Sequence, residues 1–351
     1  MPDLAANFLN ENAAQAARVH WDAVAKPLHS LGRLEDLIVR IAGIQETEDV
    51  CLKPRCALVF CADHGVVAEG VTQSGQEVTA LVARSIAEGK ANVNLMARTV
   101  GADVFAVDVG MATEIDCPGI IRRSVARGTR NMVKAPAMTR SQAEVAVKAG
   151  YDLVGDLKAK GYRLIATGEM GIGNTTASAA LCCALLGLSP MAAVGRGAGL
   201  SDAGLLRKRE AVRRALENNR PDPRDPMDVL AKVGGLEIAA MTGAFLGGMS
   251  HRVPMIIDGV ISATAALVAV RLCPAAKEFM LPSHRSQEPG AASVLEALDM
   301  KPVLQAGMAL GEGTGAVALM PLLDMALSVY AGEHTFDSLG MAAYTPQEEV
   351  P

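Results

Sequence analysis

The chain has 351 residues, of which 50% are hydrophobic and 20% are charged, so it can bury the core of one large α/β domain or two modest ones. Its net charge of -5 and the lack of any basic block argue against a nucleic-acid partner. The N-terminus has no signal-peptide pattern, and Asp258 interrupts the longest apolar run, so we expect a cytoplasmic protein that does not enter a membrane.

Two helices and a strand are predicted at the start of the chain. A first helix is predicted over residues 3–25, and apolar residues recur at helical spacing again over 31–41, so we expect a separate helical layer or a dimer contact. The first clear strand, 57–61, runs into Asp63 and His64. Polar residues at this end of a buried parallel strand either bind a ligand or cap the next turn.

The order strand, polar or glycine-rich turn, helix recurs along the rest of the chain. We predict strands at 104–109, 163–166, 255–257 and 278–281, and helices from about 76, over 139–160, from about 175, over 202–218, over 235–249 and up to 272. This alternation predicts an α/β fold, a Rossmann-like parallel sheet with helices on both faces and polar turns along one edge. The long irregular stretch 111–136 is typical of a functional loop or a subunit contact.

A glycine-rich turn between a predicted strand and a helix organises the middle of the chain. It contains Gly168, Gly171 and Gly173, and the helix follows from about Thr175. Such a turn leaves backbone N–H groups free at the helix start, where the helix dipole favours an anion such as phosphate. Asn174 and Thr175 can cap the helix or contact that phosphate.

Glu169 lies inside this anion-friendly turn, which suggests a ligand that also carries hydroxyl groups, such as a ribose. The turn is not a Walker A loop, because no lysine precedes the threonine pair that begins at Thr175. It also lacks the third glycine of the dinucleotide fingerprint. An ordinary strand–turn–helix connection therefore remains the alternative to a phosphate site.

A second glycine-rich turn, 195–199, precedes a helix with basic residues that include Lys208. Such residues usually form a solvated face, but one that reached a phosphate would neutralise it. Further along, Glu312 lies between Gly311 and Gly313. Its carboxylate could act as a general base tuned by burial, or could be an ordinary acid at a helix N-terminus.

The motifs, taken in order, resemble those of the nicotinate-nucleotide–dimethylbenzimidazole phosphoribosyltransferase family. The resemblance spans about residues 20 to 330 and rests on ADHGVVAEGV, QEVT, TGEMGIGNTTASAA, GRGAGL, KRE, GGLEIAAMTGA, IDGVISATAAL, SHRSQEPG and LGEGTGA. It implies transfer of ribose 5-phosphate from nicotinate mononucleotide to 5,6-dimethylbenzimidazole, in assembly of the lower ligand of cobalamin. It also implies a homodimer that needs no metal and no organic cofactor.

The resemblance further implies a domain division and a set of site residues. A small helical domain would be formed by 1–50 and 311–351, around a nucleotide-binding domain over 51–310. Glu312 would be the base that takes the N–H proton of the benzimidazole. Mononucleotide contacts are expected at Glu169, Gly171, Gly173, Asn174, Thr175, Gly197, Lys208, Gly259 and Ser286, and base-pocket contacts at Gln76 and Leu310.

One short segment and one further residue differ from the usual pattern of this family. Residues 73–75 are Gln-Ser-Gly where the family commonly has an aromatic residue and a proline, and Ala291 replaces a histidine. The first difference leaves open another acceptor: adenine, a different benzimidazole or a phenol. A catalytically silent nucleotide-binding partner subunit is the second hypothesis, and the incomplete dinucleotide fingerprint disfavours a third, an oxidoreductase.

Overall fold

The computed structural model describes residues 6–345, which contain a parallel six-stranded sheet. Its strands are β1 (Arg55–Ala62), β2 (Asp103–Gly110), β3 (Ile121–Arg122), β4 (Leu164–Met170), β5 (Met255–Ile257) and β6 (Met280–Pro282). They lie in the order β3-β2-β1-β4-β5-β6, and every neighbouring pair is parallel. The predicted Rossmann-like sheet is therefore confirmed.

Helices cover both faces of this sheet. They are α1 (Glu11–Ala23), α2 (Arg33–Gln45), α3 (Glu77–Ala87), α4 (Asn92–Thr99), α5 (Arg140–Ala159), α6 (Asn174–Leu186), α7 (Pro190–Ala193), α8 (Asp202–Asn219), α9 (Pro226–Val233), α10 (Leu236–His251), α11 (Val260–Leu272), α12 (Ala291–Ala297) and α13 (Thr314–Tyr330). Within the described residues, no helix is both long and apolar enough to cross a membrane.

The central strand β1 is buried on both faces because its side chains alternate between two cores. Leu58 and Phe60 pack with the helices α5 to α12, whereas Val59 and Cys61 pack with α1 to α4 and α13. A run of apolar residues without polar alternation is what a strand covered on both sides requires. The strand order reverses between β1 and β4, and a crevice for ligands opens at the carboxyl ends of the strands at such a point.

Helices from the two ends of the chain pack against each other. The His20 ring of α1 stacks on the Tyr330 ring of α13 with 4.2 Å between centroids, and its Nε2 lies 2.7 Å from the Tyr330 carbonyl oxygen. The Trp21 ring meets the same tyrosine edge-on. Contacts between the chain ends agree with the predicted helical layer, while the domain division at residues 50 and 310 stays a prediction.

Several predicted boundaries were wrong. The first helix begins at Glu11 rather than at residue 3, a position outside the described residues. Strand β4 continues to Met170, so Gly168 lies in the strand and not in the turn. The cause is pairing with β1, because Gly168 and Met170 stand opposite Val59 and Cys61. Helices α4, α7, α9 and α12 had not been predicted, and β3 lies within the stretch expected to be irregular.

Candidate active site

A cavity of about 260 Å³ opens at the carboxyl ends of β4, β5 and β6. Its wall includes the turn after β4, the second glycine-rich turn, the segments after β5 and β6, and the turn before α13. Every predicted site residue except Gln76 lines this cavity, namely Glu169, Gly171, Gly173, Asn174, Thr175, Gly197, Lys208, Gly259, Ser286, Leu310 and Glu312. The fold thus gathers side chains that are up to 143 positions apart in the sequence, from Glu169 to Glu312.

The turn between β4 and α6 is built for close approach of a ligand to the backbone. Gly173 precedes the helix with φ of 100°, a left-handed conformation that favours glycine. Gly173 itself has no side chain that could cap the N-terminus of α6. A Cβ on Gly171 would collide with the carbonyl of Ala62, so glycine is also needed where β4 passes β1. The result is an uncapped helix N-terminus at the cavity wall, which favours an anion.

Lys208 of α8 reaches the same wall and is only 1% exposed. Its Nζ donates to Thr175 Oγ1 at 2.7 Å and lies next to Gly197, where a Cβ would stand 3.3 Å away. Burial lowers the pKa of this lysine to about 8, an effect that Glu288 partly opposes. A buried ammonium whose hydrogen-bond partner is a neutral hydroxyl is a strong indication that an anion binds here.

Glu169 lies at the end of β4 and is 8% exposed. Asn174 donates a hydrogen bond to its carboxylate. Burial, together with the negative charges of Asp258, Glu237 and Glu312, raises the pKa of Glu169 to about 8. The shift favours the protonated form of the side chain, which can donate a hydrogen bond into the cavity.

Glu312 faces the cavity from the turn before α13. It has φ of 60°, a left-handed conformation that is costly for a residue other than glycine, between Gly311 and Gly313 at φ of 88° each. The turn packs on β4, since a Cβ on Gly168 would lie 2.6 Å from the Glu312 carbonyl oxygen. The backbone N–H of Val93 donates to Glu312 Oε2 at 3.2 Å. This bond occupies one carboxylate oxygen and leaves the second for chemistry.

Asp258, which had not been assigned to the site, anchors the Glu312 turn through hydrogen bonds to backbone N–H groups. It follows β5 directly and accepts the N–H groups of Gly313 and Ala316 at 3.2 and 3.0 Å. Burial raises the pKa of Asp258, while the nearby His284 opposes the rise. Both residues line the cavity. Their position at the ends of β5 and β6 was the available signal, because parallel strands end along one edge.

Three polar residues that do not line the cavity contact one another at the end of β1. His64 Nε2 stands 2.7 Å from Glu237 Oε1, and both side chains are almost fully buried. The Gln76 amide donates to the His64 carbonyl oxygen at 3.0 Å, so Gln76 reinforces the end of β1. Its assignment to the base pocket stays a prediction. Glu237 was missed, although an acid shortly after two glycines was visible in the sequence.

The loop before α3 forms the outer rim of the cavity. Thr72, Gln73 and Ser74 are among the lining residues, and Leu310 stands opposite in the turn before Glu312, 53% exposed. The Gln73 amide donates to the Ala198 carbonyl oxygen at 3.0 Å and also to that of Gly199. The rim loop is thereby connected to the second glycine-rich turn. Among residues 6–345, no cluster of three or more His, Cys, Asp or Glu side chains is suited to a metal ion.

Comparison with known proteins identifies the class to which this fold and site belong. A family model described as phosphoribosyltransferase matches residues 6–341, so the chain is a phosphoribosyltransferase. It is 46% identical over 340 residues to the nicotinate-nucleotide–dimethylbenzimidazole phosphoribosyltransferase of Ruminiclostridium cellulolyticum, with 97% of each chain covered. The enzyme of the same name from Geobacter metallireducens is 44% identical over 326 residues, which are 93% of this chain and 92% of that one.

Solved structures agree with the sequence comparison. The crystal structure of CobT from Thermus thermophilus superimposes with a TM-score of 0.89 at 42% identity, covering 95% of this chain and all of that one. The chain belongs to the nicotinate-nucleotide–dimethylbenzimidazole phosphoribosyltransferase family. The predicted family and fold class are therefore confirmed.

Proposed function

We propose that this chain transfers ribose 5-phosphate from nicotinate mononucleotide to 5,6-dimethylbenzimidazole. The products are nicotinate and α-ribazole 5′-phosphate, the nucleotide of the lower ligand of cobalamin. The observation that carries the proposal is one cavity bounded by both a buried cation, Lys208, and a carboxylate, Glu312. The first suits the phosphate of the donor, and the second suits the ring N–H of the acceptor.

The phosphate group of the donor binds between the positive end of the α6 dipole and the Lys208 ammonium. The N-terminus of α6 and the Lys208 ammonium both face the Thr175 end of the cavity. Gly197 has no side chain, so the phosphate can approach the ammonium closely. A protonated Glu169 does not repel this dianion and donates a hydrogen bond to a ribose hydroxyl.

Glu312 acts as the general base in the transfer. Its carboxylate takes the N–H proton of the benzimidazole, and the lone pair of the other ring nitrogen attacks C1′ of the ribose. The bond from C1′ to the nicotinate nitrogen breaks, and its electron pair neutralises the pyridinium, so no general acid is needed. Attack on the face opposite the leaving group converts the β-nucleotide into an α-nucleotide.

The rim loop sets the preference for the acceptor. In the part of the chain that the structure describes, no Phe, Tyr or Trp lines the cavity. The flat acceptor therefore packs against aliphatic side chains such as Leu310 and beside the polar Thr72 and Ser74. This composition keeps adenine, another benzimidazole or a phenol as alternative acceptors in the same transfer.

The test is a chromatographic assay of purified protein with nicotinate mononucleotide and each acceptor. We expect release of nicotinate and formation of the α-nucleotide with dimethylbenzimidazole, and a rate lower by about a hundredfold or more for Glu312→Ala. Turnover only with adenine or a phenol would keep the transfer and correct the acceptor. Binding of the mononucleotide without turnover for any acceptor would support the silent-partner hypothesis instead.

We also propose that the enzyme is a cytoplasmic homodimer. Two large apolar side chains are more than half exposed on α4 and α13, which pack against each other: Leu95 and Met325. A subunit interface over these two helices would bury both side chains. Sedimentation equilibrium would show a dimer for the wild type, and Leu95→Glu would shift it toward the monomer.

A further inference from the structure

Helix α4 presents its N-terminus to the carboxylate of Glu312. The donor is the N–H of Val93, the second residue of the helix, 3.2 Å from Glu312 Oε2. N–H groups in the first turn of a helix have no partner within the helix, so this one is free to bind a carboxylate. The position of the bound carboxylate then depends on where α4 begins.

The start of α4 is fixed by the side chain of Asn94. This residue is 8% exposed, and its Oδ1 accepts the N–H of Ala91, which precedes the helix, at 3.1 Å. Its Nδ2 donates to the carbonyl oxygen of Ile86, near the end of α3, also at 3.1 Å. One amide thus ties both ends of the turn between α3 and α4.

We infer that Asn94 is a positioning residue for the transfer reaction. Its amide holds the turn that carries Val93, and the Val93 N–H holds the base, Glu312. The inference rests on the proposed function, in which Glu312 takes the proton of the acceptor. Asn94 does not line the cavity, so it acts on the base and not on the substrates.

The first experiment compares Asn94→Ala with Asn92→Ala in steady-state kinetics. Asn92 is an exposed asparagine on the same helix and serves as the matched control. We expect kcat to fall by about tenfold for Asn94→Ala, because a base displaced by a fraction of an ångström loses its alignment, and KM for the mononucleotide to change by less than about twofold. A full kcat for Asn94→Ala, or a raised KM with unchanged kcat, would overturn the inference.

A double-mutant cycle separates positioning of the base from a general structural role. Single-turnover rates are measured for Glu312→Gln with and without Asn94→Ala. If Asn94 acts through Glu312, its replacement has almost no further effect once the base is gone. An equal fold-loss in both backgrounds would show that Asn94 supports only the fold, and would overturn the inference.

Asn94→Asp provides the isosteric variant. Its carboxylate still accepts the Ala91 N–H, but its second oxygen cannot donate to Ile86 and faces that carbonyl oxygen, so we expect kcat to fall about as far as in Asn94→Ala. If Asn94→Ala does not fold, this variant decides, and a wild-type kcat in folded Asn94→Asp would overturn the inference. A wild type that makes no α-nucleotide would instead refute the proposed function, and the inference would fall with it.

Discussion

Glu169 and Glu312 face one cavity from two similar stretches of sequence, and the structure treats them differently. Each is an acid next to glycines, shortly before a helix that begins after a left-handed glycine. The two turns also touch, because a Cβ on Gly311 would lie 2.7 Å from Glu169 Oε1. Glu169 nevertheless ends a buried strand, whereas Glu312 lies in a partly exposed turn.

The difference shows that the environment of a carboxyl group determines whether it serves as a hydrogen-bond donor or as a base. Three acids, Asp258, Glu237 and Glu312, face Glu169 and favour its protonated form together with burial. Glu312 receives a backbone N–H instead, and stands where solvent and an acceptor can reach it. Paired carboxyl groups in unlike environments commonly divide the tasks of hydrogen-bond donor and base.

The comparison predicts unequal effects of the same substitution at neutral pH. Glu312→Gln removes the base, so we expect kcat to fall by about a hundredfold or more. Glu169→Gln replaces a neutral acid by a neutral amide of the same shape, so we expect kcat/KM within about threefold of wild type. Both are measured by release of nicotinate at pH 7. Equal losses at the two positions would show that Glu169 also acts in its charged form.

Substitution of Lys208, on the side of the cavity that is expected to bind the phosphate, should weaken binding of the mononucleotide. Lys208→Met keeps the buried stem but removes the charge, so we expect KM for the mononucleotide to rise by about thirtyfold, the worth of one charge-assisted hydrogen bond. The effect on kcat should be small. Lys208→Arg is the control that retains the charge, and Arg207→Met tests a neighbouring basic residue outside the cavity lining. A loss confined to kcat would place Lys208 near the reacting atoms instead.

The sequence predicted the sheet because its strands are local apolar runs followed by polar or glycine-rich turns. The end of β4 could not be predicted, since Gly168 is held in the strand by pairing with Val59, more than a hundred positions earlier. Helices α7 and α12, with four and seven residues, are too short to show a helical repeat.

The site residues were predicted by resemblance of motifs, and the contacts between them were not. Nothing local indicates that Val93 meets Glu312, because the two residues are 219 positions apart. The pairing of His64 with Glu237 is equally remote. Asp63 and His64 follow a buried strand as a ligand-binding pair would, but His64 contacts Glu237 and does not line the cavity.

Gly168→Ala should damage the Glu312 side of the site more than the Glu169 side. The added methyl group meets the backbone of Glu312 and Gly313 at 2.6 to 2.7 Å, so the turn must shift. We expect a loss of about 2 kcal/mol in the free energy of unfolding and about a tenfold lower kcat, with little change in mononucleotide affinity. Calorimetry and kinetics check the two effects.

Gly290→Ala is the matched control for this substitution. A methyl group at Gly290 would find its nearest atoms at 3.6 to 3.9 Å, which is ordinary contact, and the backbone there has a negative φ of -69°. We therefore expect stability and kcat close to wild type. A weakened mononucleotide affinity in Gly168→Ala with unchanged kcat would mean that β4 supports the phosphate side and not the base.

The smallest effect is expected in the pH dependence of kcat/KM. This profile should show the ionisations of Glu169 and Lys208 as two separate contributions. Glu169 and Lys208 both have a pKa of about 8 and both act in their protonated forms. Activity is therefore lost as the pH rises through 8, and log kcat/KM in wild type should approach a slope of about minus two. Glu169→Gln and Lys208→Arg should each reduce that slope to about minus one.

The pH dependence of the protein's stability provides an independent check on the raised pKa of Glu169. Because the pKa of Glu169 is raised from 4.5 to about 8 in the folded state, the folded protein binds one proton more than the unfolded chain between these values. The contribution of Glu169 to stability is therefore full below pH 4.5 and is lost as the pH rises toward 8. Glu169→Gln should flatten this decline in melting temperature and be more stable than wild type at pH 8. An unchanged decline in the variant would mean that the Glu169 carboxyl group is ionised in the folded enzyme.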